Sequence, residues 1–280
     1  RIKLTGGSEK MNHAAPSKIS KDSEALMNTT RFLGSDTQSE FPRSLKTTES
    51  GLITKLNKIR TTNQVSISAI FSLEDDMEDG EYRDIISTSD NNDDHEVISL
   101  GLFKEADKDP RLFFSIAFEG GDVGRHVSKF ISSFSLTKHV SSHSIRTERD
   151  NDDSISGKFY HACVSYDASL IDGKRTNLPV FLVDGKEYAV NELRGSHRSH
   201  PAGTTNVTSL LNTITLTGTS IQDIVNFCIG NNQPGTNEFP GRIGESLIWS
   251  KALSRNEMQK VSAYYKGLIS TNPTTTGYRE

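Results

Sequence analysis

The sequence predicts an all-β protein, an antiparallel β-sandwich with one short C-terminal helix, and three observations carry that expectation. In "QVSISAIFSL" the residues Val65, Ile67, Ala69, Phe71 and Leu73 alternate with Ser66, Ser68 and Ser72. That period of two marks a half-buried antiparallel strand, and only Ile70 breaks it. "VFLVDGKEYAV" holds Asp184-Gly185 between two β-rich runs, the dipeptide that accepts positive φ in a tight hairpin turn. "ALSRNEMQKVSAYYKGL" opens with Ser254 and Glu257 as a capping box. Met258, Val261, Tyr265 and Leu268 follow at helical spacing, with Gly267 as the stop.

Composition agrees. Of 280 residues, 33% are hydrophobic, and mean hydropathy is -0.51, which suits short strands joined by polar loops. Strand signals, nearly all bounded by Gly, Asp, Asn or Pro, run through "GLITKL", "QVSISAIFSL", "YRDIISTS", "EVISLGLF", "RLFFSIAFEG", "FYHACVSYD", "LPVFLVDGKEYAV", "NFCIG" and "GRIGESLIWS". Residues 122 to 156 and 191 to 220 read as long connections with one strand each, around "KFISSFSL" and "SLLNTITL". The expected organisation is a polar N-terminal arm over 1–40, one sandwich domain over 41–270 and a polar tail over 271–280. The arm has one helix-compatible piece, "SKDSEALMNTT", and no apolar periodicity of its own.

The net charge of -4 is spread without a basic patch, which argues against nucleic acid as a partner. No run approaches the roughly 18 apolar residues of a membrane span. Beginning at Arg1 rather than Met, the chain is read as a processed product, an excised fragment or a partly observed chain. Cys163 and Cys228 are too few for a disulfide framework, leaving buried free thiols or a single inter-strand bridge.

With these elements in order, the sequence resembles the laminin-G-like family of concanavalin-A-type jelly rolls. Gly157, Phe159, His161, Ala162, Val164, Tyr166 and Asp167 are similar to the family's strand motif, and Asp184-Gly185-Lys186 to the hairpin that follows. Ile229-Gly230, then Phe239, Gly241, Ile243 and Glu245, then Ala252-Leu253-Ser254 are similar to its closing segment. The resemblance covers about residues 157 to 266 and implies a jelly-roll sandwich. That fold serves lectins, adhesion modules, glycan-cleaving enzymes and structural parts of virus particles, so function rests on individual residues.

Glycan hydrolysis needs two carboxylates across one cleft. Glu74, Asp76 and Asp79 in "EDDMED" read as an acidic loop after the strand ending at Leu73, so no catalytic residue is assigned. Calcium takes oxygen ligands from acidic loops, and Asp90, Asn92 and Asp94 in "SDNNDDHE" are its candidates; "RDNDDS" around Asp150 is a further one. The pairs His139/His143 and His197/His200 lack a third metal ligand. His161 and Cys163 lie two apart on one strand, but a thiol packed in a sandwich lacks the access and positive surroundings of a nucleophile. His161 is read as structural.

For carbohydrate recognition the polar rim is Asn231, Asn232, Gln233 and Asn237 in "GNNQPGTNEF". Trp249 is expected under the C-terminal helix, and the sequons at Asn28 and Asn206 matter only in a secreted chain. The function expected is a non-enzymatic binding or structural module at a surface, extracellular or on a virion. It would either decorate a larger assembly and contact neighbouring subunits, or recognise a glycan or protein as an adhesion domain.

Overall fold

In the computed structural model, β1 (Met11–Asn12), β2 (Thr30–Phe32) and β3 (Leu45–Thr47) precede two short helices, α1 (Ser50–Leu56) and α2 (Lys58–Thr62). Then follow β4 (Gln64–Leu73), β5 (Tyr82–Ser89), β6 (Glu96–Phe103), β7 (Arg111–Gly120), β8 (Gly124–Ser135) and β9 (Tyr160–Asp167). The hairpin β10 (Val180–Val183) and β11 (Lys186–Tyr188) leads to β12 (Val190–Gly195), β13 (Thr205–Asn206), β14 (Asn226–Ile229), β15 (Gly241–Trp249) and helix α3 (Arg255–Thr271). The structure describes residues 11–12, 30–32, 45–73, 77–91, 95–120, 124–136, 159–171, 176–195, 205–206 and 220–271.

Among the described residues, the strands form two antiparallel sheets. One has nine strands in the order β1-β3-β14-β5-β6-β7-β8-β12-β13, the other six in the order β11-β10-β9-β4-β15-β2. The sheets face each other across one core. Val65, Ile67, Ala69, Phe71 and Leu73 of β4 meet Leu100, Leu102, Phe114, Ile116 and Phe118 of β6 and β7 there, so the alternation in "QVSISAIFSL" is that of a strand with one face inward. Its exception has a cause. Ile70 lies on the outer face with Phe159 and Tyr265, beneath α3.

"GLITKL" is helical rather than extended, a correction to the sequence reading. Leu52, Leu56 and Ile59 recur at the spacing of a helix stripe, and all three are buried in the main core. The hairpin turn is as expected: Asp184 has φ 49° and Gly185 φ 79°. The capping box also forms, with Ser254 N–H donating to Glu257 Oε2 at 2.8 Å and Glu257 N–H to Ser254 Oγ at 3.3 Å. Gly267 does not end α3, which runs to Thr271. One glycine costs a helix roughly 1 kcal/mol, which weakens it without terminating it.

The N-terminal segment contributes a strand to each sheet: β1 pairs with β3, and β2 with β15. Among the described residues no helix is long and apolar enough to cross a membrane.

The outer face of the six-stranded sheet carries α3. Met258 packs with Cys163 and Leu182, and Tyr265 with Ile70 and Phe159. The outward serines of β4 and β9 hold the chain leading into the helix. Ser66 Oγ donates to the Lys251 carbonyl at 2.8 Å and accepts from Leu253 N–H at 2.9 Å, and Ser165 Oγ donates to the Leu253 carbonyl at 2.8 Å. No described helix packs on the outer face of the nine-stranded sheet.

Candidate functional site

Strand register builds the outer face of the nine-stranded sheet row by row, because residues on neighbouring strands that share a register share a face. One row crosses seven strands: Lys46, Cys228, Ser87, Ser99, Ser115, Lys129, Arg194. The next holds Asp84, Gly101, Phe113, Ile131 and Glu192. The third begins with Tyr82, Phe103 and Arg111. The face therefore has a small, polar middle with rings and charges around it.

The rings form their own cluster, apart from the main core. Tyr82 stacks on Phe103 with centroids 4.5 Å apart and meets Phe113 edge-on at 5.2 Å. Two cations lie over them: the Arg194 guanidinium 4.3 Å from the Phe103 centroid, and Lys129 Nζ 4.2 Å from that of Tyr82. Such contacts contribute about 0.5–2 kcal/mol each. Gly101 makes room for this arrangement. A Cβ there would stand 2.2 Å from the Arg83 carbonyl oxygen and 2.7 Å from the Phe113 ring.

Each of these cations has a carboxylate. Lys129 Nζ is 3.3 Å from Glu96 Oε2, Arg111 Nη2 donates to Glu105 Oε2 at 2.8 Å and to Glu192 Oε2 at 2.9 Å, and Arg194 Nε donates to Glu192. Burial lowers the Lys129 pKa, but the charges of Glu96 and Asp84 outweigh it and the ammonium sits above its ordinary value. Asp84 is wholly buried. Desolvation first, then the Glu96 charge, push its pKa well above the ordinary carboxylate range, against the pull of Lys129 and of the Asn237 Nδ2–H that donates to it at 2.7 Å. Three cations matched by Asp84, Glu96, Glu105 and Glu192 make no surface for a polyanion. Half-buried Tyr82 beside paired charges suits a neutral or weakly charged polyhydroxyl ligand instead.

Among the described residues the hydroxyls of Ser99 and Ser115 have no hydrogen-bond partner. Tyr82, Lys129 and Arg194 were not singled out by the sequence. The only signal available was Ser99 and Gly101 at alternate positions of β6.

The predicted rim residues lie beside this face. Asn231 Oδ1 accepts from the amides of Asn232 and Asn237, and Asn232 Oδ1 from those of Gly235 and Thr236. Both asparagines are buried and fold the loop. Gln233 is half-buried, its carbonyl accepting from Lys46 Nζ at 2.6 Å, while Pro234 and Thr236 are exposed. Three rim residues reach the face: the Asn231 carbonyl accepts from Ser87 Oγ, Gln233 accepts from Lys46 and Cys228, and Asn237 donates to Asp84.

Of the calcium candidates, Asp90 is described, with Oδ2 3.2 Å from His95 Nδ1. Asn92 and Asp94 lie outside the described residues, as do Glu74, Asp76, Asp150, His139, His143, His197, His200 and Asn28. Asp79 is 3.6 Å from Lys104 Nζ. Asn206 belongs to β13.

His161 and Cys163 share the outer face of the other sheet, with Phe159, while Tyr160, Ala162, Val164 and Tyr166 face the core. Burial pushes the Cys163 thiol up to about 12, removing it as a nucleophile at neutral pH. Cys163 and Cys228 are both free and stand on different sheets. Trp249 is half-buried and, opposite Ser66, lies on the sheet face that carries α3.

No protein-family profile matches the chain, and no curated protein does. Solved structures similar to it include the botulinum neurotoxin serotype D/C VPI 5993 binding domain, 13% identical over 85% of this chain and 46% of that one, with TM-score 0.46. The binding domain of botulinum neurotoxin DC in complex with SialylT is 12% identical, with 84% and 42% covered and TM-score 0.44. The binding domain of Paraclostridial Mosquitocidal Protein 1 is 12% identical, with 85% and 43% covered and TM-score 0.44. The chain thus spans less than half the length of each of these structures.

Proposed function

We propose that the chain is a non-enzymatic binding module, a laminin-G-like jelly roll, whose partner is a glycan held on the outer face of the nine-stranded sheet. One observation carries the reading: α3 covers the outer face of one sheet, whereas no described helix covers the other, and there half-buried Tyr82, Lys129 and Arg194 stand over the buried rings of Phe103 and Phe113. A sugar presents C–H faces that stack on rings and hydroxyls that bond to carboxylates, guanidinium groups and amides. The reading implies a location outside a cell or on a virion.

Assembly into a larger particle through the N-terminal arm is the second reading. It is less favoured because β1 and β2 already pair within this chain's own sheets.

A glycan array probed with the whole chain tests the first reading. Arg194→Ala is expected to weaken the glycans that bind by about tenfold, the effect of losing roughly 1.4 kcal/mol. Lys251→Ala, on the opposite side of the molecule, should change nothing. A blank array for the wild-type protein would sink the proposal.

A further inference from the structure

His161 joins the two partners of the helix–sheet interface through a single ring. Its Nε2 is 2.7 Å from Ser68 Oγ on β4, and its Nδ1 is 3.0 Å from Ser262 Oγ on α3. The ring lies against Tyr265 of α3, centroids 4.7 Å apart and 32° between planes. Serine hydroxyls can donate or accept, so a neutral imidazole satisfies both nitrogens. An imidazolium would bring a full charge to a site that is 2% exposed and whose two ring partners are neutral.

The titratable groups around the ring are few. β9 itself adds Cys163, α3 adds Tyr265, and the β10–β11 turn adds Asp184, whose Oδ1 accepts from the His161 backbone N–H at 2.9 Å. β4 presents Ser68 and Ile70, neither of which titrates. Among the described residues the Asp184 carboxylate is the charge that favours the imidazolium, and burial outweighs it.

We propose that His161 is an acid-sensitive latch: protonation of its ring releases α3 from the six-stranded sheet and uncovers Ile70, Phe159, Cys163 and Leu182. The helix can leave without the core. Its buried side chains belong to two small clusters separate from the main one, and local opening follows such boundaries. At its exposed end α3 is held by Arg255, which donates to both Glu187 oxygens, and by Lys251–Glu257.

Burial lowers the His161 pKa from 6.5 to about 4. The released state, with the ring in water, takes up the proton first. The latch is therefore fully closed above about pH 6.5 and is lost as pH falls toward 4. Between pH 7 and pH 5 that difference raises the released population about 20-fold.

Amide hydrogen exchange of the whole chain, corrected for intrinsic rates, reads this directly, and the fluorescence of Trp249, the single tryptophan, gives a second signal from the same face. Protection at Met258, Val261, Ser262 and Tyr265 should fall by about that factor from pH 7 to pH 5 while β4 and β9 stay protected. His161→Gln bonds to serines without titrating, so its α3 protection should stay flat. Asp184→Asn keeps the acceptor and suits the left-handed backbone at that position, yet removes the charge that favours the closed imidazolium, so its release should begin at the same pH but go further than the wild type's near pH 4. Unchanged α3 protection in the wild type, or parallel loss in His161→Gln, overturns the latch. Where His161→Gln does not fold, equal release in Asp184→Asn and the wild type near pH 4 overturns it.

Discussion

Lys129 of β8 lies with its Nζ 4.2 Å from the ring centroid of Tyr82 on β5, although two strands separate theirs. Ser115 and Ser99 occupy the intervening register positions, and their small side chains leave room for a lysine stem to lie across the sheet. The ammonium then meets Glu96 and Asp84 in a buried setting. Lys129→Met should cost about 3–5 kcal/mol in chemical denaturation, since it leaves buried carboxylates without their cation.

Asp84→Asn should act in the opposite direction. A carboxyl whose folded pKa is raised contributes stability below the ordinary value of 3.8, and that contribution is lost as pH rises through the folded pKa. The asparagine keeps an acceptor for Asn237 and removes the cost of a buried charge. The variant should melt above the wild type at pH 8 and level with it near pH 4.

Gly101→Ala should be among the most damaging single methyl additions in the protein. The new Cβ would meet the Arg83 backbone oxygen at 2.2 Å, and backbone in a paired strand cannot turn aside as a side chain can. A loss above roughly 2 kcal/mol is expected in denaturant, with Phe113 displaced.

The asparagine loop separates folding from binding. Asn232→Ala removes the acceptor for the amides of Gly235, Thr236 and Asn237 and should cost about 1–2 kcal/mol, while Asn232→Asp, which keeps the oxygen, should recover most of it. Thermal melts of the three proteins decide this. Equal melting temperatures would return Asn232 to the list of ligand contacts.

Sequence periodicity revealed individual strands well, because each face of a sandwich strand meets one environment. The strand through His161 divides into a core face and a helix-facing row as its alternation suggests. Asp184-Gly185 and the capping box were legible for a similar reason, since local backbone geometry selects those residues. The candidate face was not legible. Its long row joins Lys46 to Cys228 and Ser87, positions whose adjacency is set by pairing between distant strands, and bulges at Asp84/Ile86 and Thr88/Ser89 change which parity faces outward. "GLITKL" misled because a short apolar run fits a strand or a helix stripe equally well.

Strand β15 contains the same kind of irregularity, and there it sets where the gene can change length. Ile243 pairs with Phe71 and Ser246 with Ala69, so Gly244 and Glu245 together face the single residue Ile70. The two halves of the strand are thereby written in different reading phases, which is why Ile243 and Ile248 both pack toward the core despite being five positions apart. A one-residue deletion at Gly244–Glu245 should leave both halves in phase and the protein soluble. The same deletion among Leu247, Ile248 and Trp249 would turn inward residues outward, a contrast that soluble yield and melting temperature of the two shortened chains would show.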